Sequence, residues 1–109
     1  MANYLLLYSG GSMPQSEVEQ KAIVDDWMAW FGMLGGDLVD GGNPFTPVVM
    51  NIGSNGMVGN GPAGSMASGY SVIKAGSMEA AVAKAKGCPV LKGGATISVY
   101  ETFNAMGGM

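Results

Sequence analysis

Proton transfer in this chain falls to carboxylates and phenols. It has eight acidic residues and four tyrosines, with no histidine and no arginine. Without histidine there is no imidazole base, no Ser-His or Cys-His pair and no imidazole metal ligand. Without arginine there is no planar fork to clamp a phosphate or carboxylate. Asp25, Asp40 and Glu101 are the candidate acids or bases. Asp25 stands beside Asp26 in a helical stretch, a pattern that suits a solvated helix face better than a catalytic pair. Asp40 precedes Gly41-Gly42, where a carboxylate folds back onto the turn. Glu101 shares its strand parity with Val99 and Phe103, so it is a carboxylate on an apolar stripe; burial would raise its pKa and make it an acid or base. The single cysteine, Cys88, follows a helix end, precedes Pro89 and has no basic neighbour in sequence, the pattern of a small buried thiol. No spacing of ligands suits a metal, and no cofactor is expected.

The glycine-rich segments resolve against nucleotide chemistry. Gly59-Asn60-Gly61-Pro62-Ala63-Gly64 fits the G-x-G-x-x-G pattern, but it follows a hairpin instead of opening a helix, and Glu79, twenty residues past Gly59, lies within a helix. Gly10-Gly11-Ser12 lies between a strand and a helix, yet no Gly-Lys-Ser/Thr follows, which excludes a P-loop.

The elements that position these groups follow from periodicity and punctuation. Residues 3–9 predict a strand, ended by Gly10-Gly11. Ser16-Glu17-Val18-Glu19 is a capping box opening a helix on which Ile23, Trp27, Trp30, Phe31 and Leu34 recur at helical spacing, stopped by Gly35-Gly36. Leu38-Val39-Asp40 is a short strand. Residues 47–59 predict a hairpin, Val48-Val49-Met50 and Met57-Val58 flanking Asn55-Gly56, a pair suited to a type I′ turn. Residues 59–69 read as loop and 70–74 as strand. Ser77 caps a second helix with Met78, Ala81, Val82 and Ala85 as its apolar stripe, ended by Gly87 and Pro89. Residues 96–103 are the last strand, and the tail from 104 is expected to be loose. Two helices cannot cover both faces of a four-stranded sheet, so they are expected on one face, leaving the other to solvent or a partner.

Alternation along the strands then predicts what the second face carries. With Leu5, Leu7, Ile73, Ile97 and Val99 toward the helices, Tyr4, Tyr8, Tyr70 and Tyr100 fall together on the helix-free face with Leu6 and Val72. Such a face is too apolar to remain wet, and tyrosine combines contact area with a hydroxyl handle. It suits a homodimer interface, a ligand-lined cavity, or both. The expected pocket for a small organic ligand comprises Tyr8, Asp40, Tyr70, Lys74 and Tyr100, with the tyrosines as walls and Asp40 or Lys74 as polar anchors.

Length and charge set the frame. The 109 residues suit one domain over 1–109 with one core. A net charge of −3 repels nucleic acid and anionic lipid. One cysteine cannot make an internal disulfide, and the apolar run in residues 1–8 is too short for a leader or a membrane span, so a soluble cytoplasmic protein is expected. With 48% hydrophobic and 12% charged residues, an oligomer is favoured.

The chain also resembles a known family. Tyr4-Leu5-Leu6-Leu7-Tyr8, Met13-Pro14, Trp27-x-x-Trp30-Phe31, Gly36-Asp37-Leu38-Val39-Asp40-Gly41, Gly69-Tyr70-Ser71-Val72-Ile73, residues 80–89 and Val99-Tyr100-Glu101 are similar, in order and spacing, to the YCII-related family in its DGPF-domain branch. The resemblance implies an α+β, ferredoxin-like βαββαβ fold with an extra hairpin, paired sheet to sheet as a dimeric α-β barrel. The YCII branch carries a His and an Asp thought to be catalytic; their places fall near Asp25 and at or beside Cys88, so neither residue is retained. The DGPF signature falls on Asn60-Gly61-Pro62-Ala63, where its Asp and Phe are replaced. The expected function is a small homodimeric binding or accessory protein with a ligand cavity at the dimer interface. The alternative is a cofactor-free enzyme using carboxylate and tyrosine acid–base chemistry on a small organic molecule. RNA-recognition modules share the strand plan, but the acidic charge and absent arginine argue against nucleic acid.

Overall fold

The computed structural model describes residues 1–11 and 16–104. Met13-Pro14 of the family resemblance, and the tail beyond Asn104, lie outside the described residues. The elements run β1 (Ala2–Ser9), α1 (Glu17–Leu34), β2 (Leu38–Asp40), β3 (Met50–Ile52), β4 (Val58–Asn60), β5 (Ala67–Ala75), α2 (Met78–Ala85) and β6 (Thr96–Glu101). Short 3-10 turns follow each helix, at Gly35–Asp37 and Pro89–Gly93.

Both helices begin where their caps dictate. The Ser16 hydroxyl accepts the Glu19 N–H at 3.1 Å, and the Ser77 hydroxyl accepts the Ala80 N–H at 3.1 Å. Helix α1 stops at Gly35, which takes a positive φ of 54° and donates its N–H to the Phe31 carbonyl. The two helices are tied together by the Trp30 indole N–H, which donates to the Lys84 carbonyl at 3.0 Å.

The main sheet has the order β2-β5-β1-β6, with every pair antiparallel. Each strand–helix–strand half is split by one antiparallel strand between its two members, which is the ferredoxin-like arrangement. The β3–β4 hairpin forms a separate two-stranded ribbon inserted between β2 and β5. Its turn differs from the expected type I′. Gly56 has φ +85°, but Asn55 does not have positive φ. The Gly56 N–H donates to the Gly53 carbonyl at 2.9 Å, and the Gly53 N–H donates to the Met57 carbonyl at 2.7 Å. This is a three-residue loop with glycine at its left-handed position.

Both helices pack on one face of the sheet, as expected, but that face is assembled differently from the alternation argument. Tyr4, Leu6 and Tyr8 are buried against Trp30, Leu34, Ala81 and Ala85, while Leu5 and Leu7 point the other way. The register explains this. Tyr4 pairs with Ile73, Leu6 with Ser71 and Val99, and Tyr8 with Ile97, so the isoleucines and Val99 do face the helices and bring the first strand's tyrosines with them. Strand β1 is central and apolar on both sides, so its own alternation could not tell the faces apart. The four tyrosines therefore divide, Tyr4 and Tyr8 into the core, Tyr70 and Tyr100 onto the open face.

Candidate functional site

The open face carries Leu5, Leu7, Tyr70, Val72 and Tyr100 in adjoining register, with no helix over them. At its β2 edge lies, among the described residues, the one pairing of an acid with a phenol on this face. Tyr70 donates its hydroxyl to Asp40 Oδ2 at 3.1 Å, and Asp40 Oδ1 accepts the Gly42 N–H at 2.8 Å. The turn-folding role expected of Asp40 is thus present, but it occupies one oxygen only. The other meets the phenol, and this hydrogen bond, followed by the charge of Asp40, raises the pKa of Tyr70. The pair is a carboxylate beside a phenol held protonated.

A β-bulge is what brings Asp40 here. Leu38 pairs with Ile73, on the helix face, while Asp40 pairs with Val72, on the open face. Two residues apart on a regular strand, they would share a side; the shift in register separates them. Beyond the pair, Phe45 stacks on Tyr70 with ring centroids 6.0 Å apart. Phe45 in turn lines a groove of about 420 Å³ between the two hairpin connections, walled by Pro44, Val48, Val49, Pro62 and Met66. Phe45 was not singled out by the sequence; its only signal is an aromatic ring between Pro44 and Thr46 in a loop.

The other expected site residues are dispersed. Lys74 lies on the open face beside Asn3, four residues along β5 from Tyr70. Tyr100 lies across Leu5, two strands from β5, which places the backbones about 10 Å apart. Asp25 is exposed on α1; its neighbour Asp26 pairs with Lys92 at 3.1 Å. Glu101 is exposed at the end of β6 and accepts the Tyr4 hydroxyl at 3.2 Å, so it is not the buried carboxylate that its parity allowed. Tyr8 is on the far side of the sheet from Tyr70 and Tyr100, in contact with Trp27 at a centroid distance of 5.9 Å. It accepts the Cys88 thiol at 3.5 Å and donates to Ser71 Oγ at 2.7 Å, and Ser71 donates to the Gly41 carbonyl at 2.8 Å. Cys88 is buried, as its sequence context suggested, and burial raises its pKa.

The strand order and single helical layer make this a ferredoxin-like α+β domain, with an acid–phenol pair at the edge of its open sheet face. Among solved structures it is similar to 5-chloro-2-hydroxyhydroquinone dehydrochlorinase (TftG) from Burkholderia phenoliruptrix AC1100, in complex with 2,5-dihydroxybenzoquinone. The TM-score is 0.56 and the identity 14%, over 98% of this chain and 99% of that one. At that identity the likeness is one of fold. No family model matches the chain, and no curated protein matches it. Among the described residues no helix is long and apolar enough to cross a membrane.

Proposed function

We propose that this chain is a homodimeric protein that binds a small organic molecule at the open sheet face, with Asp40 and Tyr70 as the polar anchors. The observation that carries this reading is the Tyr70–Asp40 hydrogen bond, set beside a stacked aromatic ring and an apolar groove. Such sites combine apolar walls with a few convergent polar groups. Lys74 and Tyr100 lie farther out on the same face, at the margin of the ligand's surroundings, while Tyr8 supports the core behind it. Kinship with the YCII-related family, in its DGPF branch, rests on the ordered motifs and is consistent with the fold likeness. The paired sheet faces of a dimeric α-β barrel would cover the open face.

One observation favours a catalytic version of this reading. A carboxylate in contact with a protonated phenol is an acid–base pair: Tyr70 would turn its hydroxyl from Asp40 to donate its proton to a substrate oxygen while Asp40 accepts a proton from the substrate, and that proton then passes from Asp40 to the Tyr70 phenolate along their hydrogen bond, restoring both groups. The structural neighbour is named as a dehydrochlorinase with a hydroxylated quinone bound, so a flat, oxygen-bearing ring is the ligand class to try first. Isothermal titration with 2,5-dihydroxybenzoquinone is the test. Asp40→Ala and Tyr70→Phe should each weaken binding by roughly tenfold, the worth of about one hydrogen bond to a charged group. Equal affinity in all three proteins would place the ligand elsewhere.

A further inference from the structure

Residues 41–73 contain no charged side chain. They comprise the β3–β4 ribbon, both of its connections and most of β5. The ribbon's ladder puts Met50, Ile52 and Val58, with Asn60 beside Met50, on one side, and Asn51 with Gly59 on the other. The Asn51 side is self-satisfied, its amide donating to the carbonyls of Asn60 and Gly61 at 3.2 and 3.1 Å. The other side is bare. Ile52 is 72% exposed and Val58 58%, and Val48 at the ribbon's root is 86% exposed.

Free β-ribbons are ordinarily guarded by lysines, prolines or bulges, which prevent association. Neither strand of this ribbon carries any of them. An uncharged, apolar ribbon needs a cover, and a second copy of the chain fits best. A lipid surface recruits through Lys and Arg beside the apolar groups, and here there are none. The apolar surface is continuous: from the open sheet face it passes through Tyr70 to Phe45, into the groove, and on to Val48. The chain exposes 7356 Å², against about 5,700 Å² for a compact protein of its mass. That surplus exceeds the ~800 Å² each partner contributes to a standard interface. A two-fold axis offers each ribbon the same groove on its partner.

We propose that in the homodimer the β3–β4 ribbon of each protomer lies across the other's groove and closes the Asp40–Tyr70–Phe45 site, so that each site is built from two chains. This rests on the homodimer reading above. Two tagged chains of different size, one Phe45→Cys and one Ile52→Cys, are co-expressed, purified together and mildly oxidised. Both positions are exposed, so cysteine there leaves the core intact. The expected product is a disulfide-linked pair carrying both tags, absent from either variant alone. A dimer by sedimentation that yields no mixed-tag disulfide overturns the ribbon exchange and leaves the homodimer standing. Self-cross-linking of Ile52→Cys alone means that ribbon meets ribbon, and also overturns it. A monomer by sedimentation overturns both readings.

Discussion

Four groups behind the sheet form a directed relay: the Cys88 thiol donates to Tyr8, Tyr8 to Ser71, and Ser71 to the Gly41 carbonyl. Each hydroxyl is thereby satisfied inside the core, which is why a phenol and a serine can sit there without the cost of an unpaired polar group. Burial is the main cause that lifts the pKa of Tyr8 above the usual tyrosine range and that of Cys88 above its ordinary 9.0. The folded state therefore holds protons that the unfolded chain releases, so stability falls as the pH rises through the unfolded values. The urea midpoint should be flat from neutrality to about pH 8.5 and decline from about pH 9 upward, steepening past about pH 10 as the unfolded tyrosines ionise. Tyr8→Phe should cost about 1–2 kcal/mol at neutral pH and make the alkaline decline shallower. An alkaline slope identical in Tyr8→Phe and wild type would show that Tyr8 does not contribute to it.

At the scale of elements, the short β2 and the turn after it determine where the acid–phenol pair stands. Gly42 has φ +73°, and a Cβ there would overlap the Tyr70 carbonyl oxygen. The close approach holds the β2 turn against β5, and the same glycine's N–H orients Asp40. Gly42→Ala should therefore destabilise the fold by about 3 kcal/mol, read from denaturant unfolding; a loss below about 0.5 kcal/mol would mean that the turn relaxes freely. Helix starts were legible in the sequence because a cap is a local device: Ser16 and Ser77 need only the next three residues. Asp40's fold-back onto its own turn was legible for the same reason. The faces of β1 were not, because a Tyr-Leu-Leu-Leu-Tyr strand is apolar on both sides and only its neighbours determine which side meets the helices. Nor was the bulge that turns Asp40 away from Leu38, since it depends on pairing with Ile73 and Val72, more than thirty residues along the chain.

The molecule measures 45 × 38 × 22 Å, and a single layer of helices covers its sheet. Its radius of gyration, 15.5 Å, exceeds the roughly 13 Å of a compact chain this long. If the open face is the interface, Leu7 lies within it, flanked by Tyr70 and Ser98. Leu7→Lys should raise the dimer dissociation constant at least about 100-fold, while Val18→Lys on the outer surface of α1 leaves it unchanged; sedimentation velocity of the two variants would show the contrast, and equal behaviour would move the interface off this face. The aromatic residues divide along the same line. Both tryptophans, Trp27 and Trp30, sit on α1 with ring centroids 5.6 Å apart and planes at 77°. Two indoles that close and crossed couple their transitions, so seating α1 on the sheet carries its own circular-dichroism couplet. The ribbon and the open face hold no indole, and events there leave that couplet in place, so the protein has an internal optical standard for telling loss of its fold from loss of its partner.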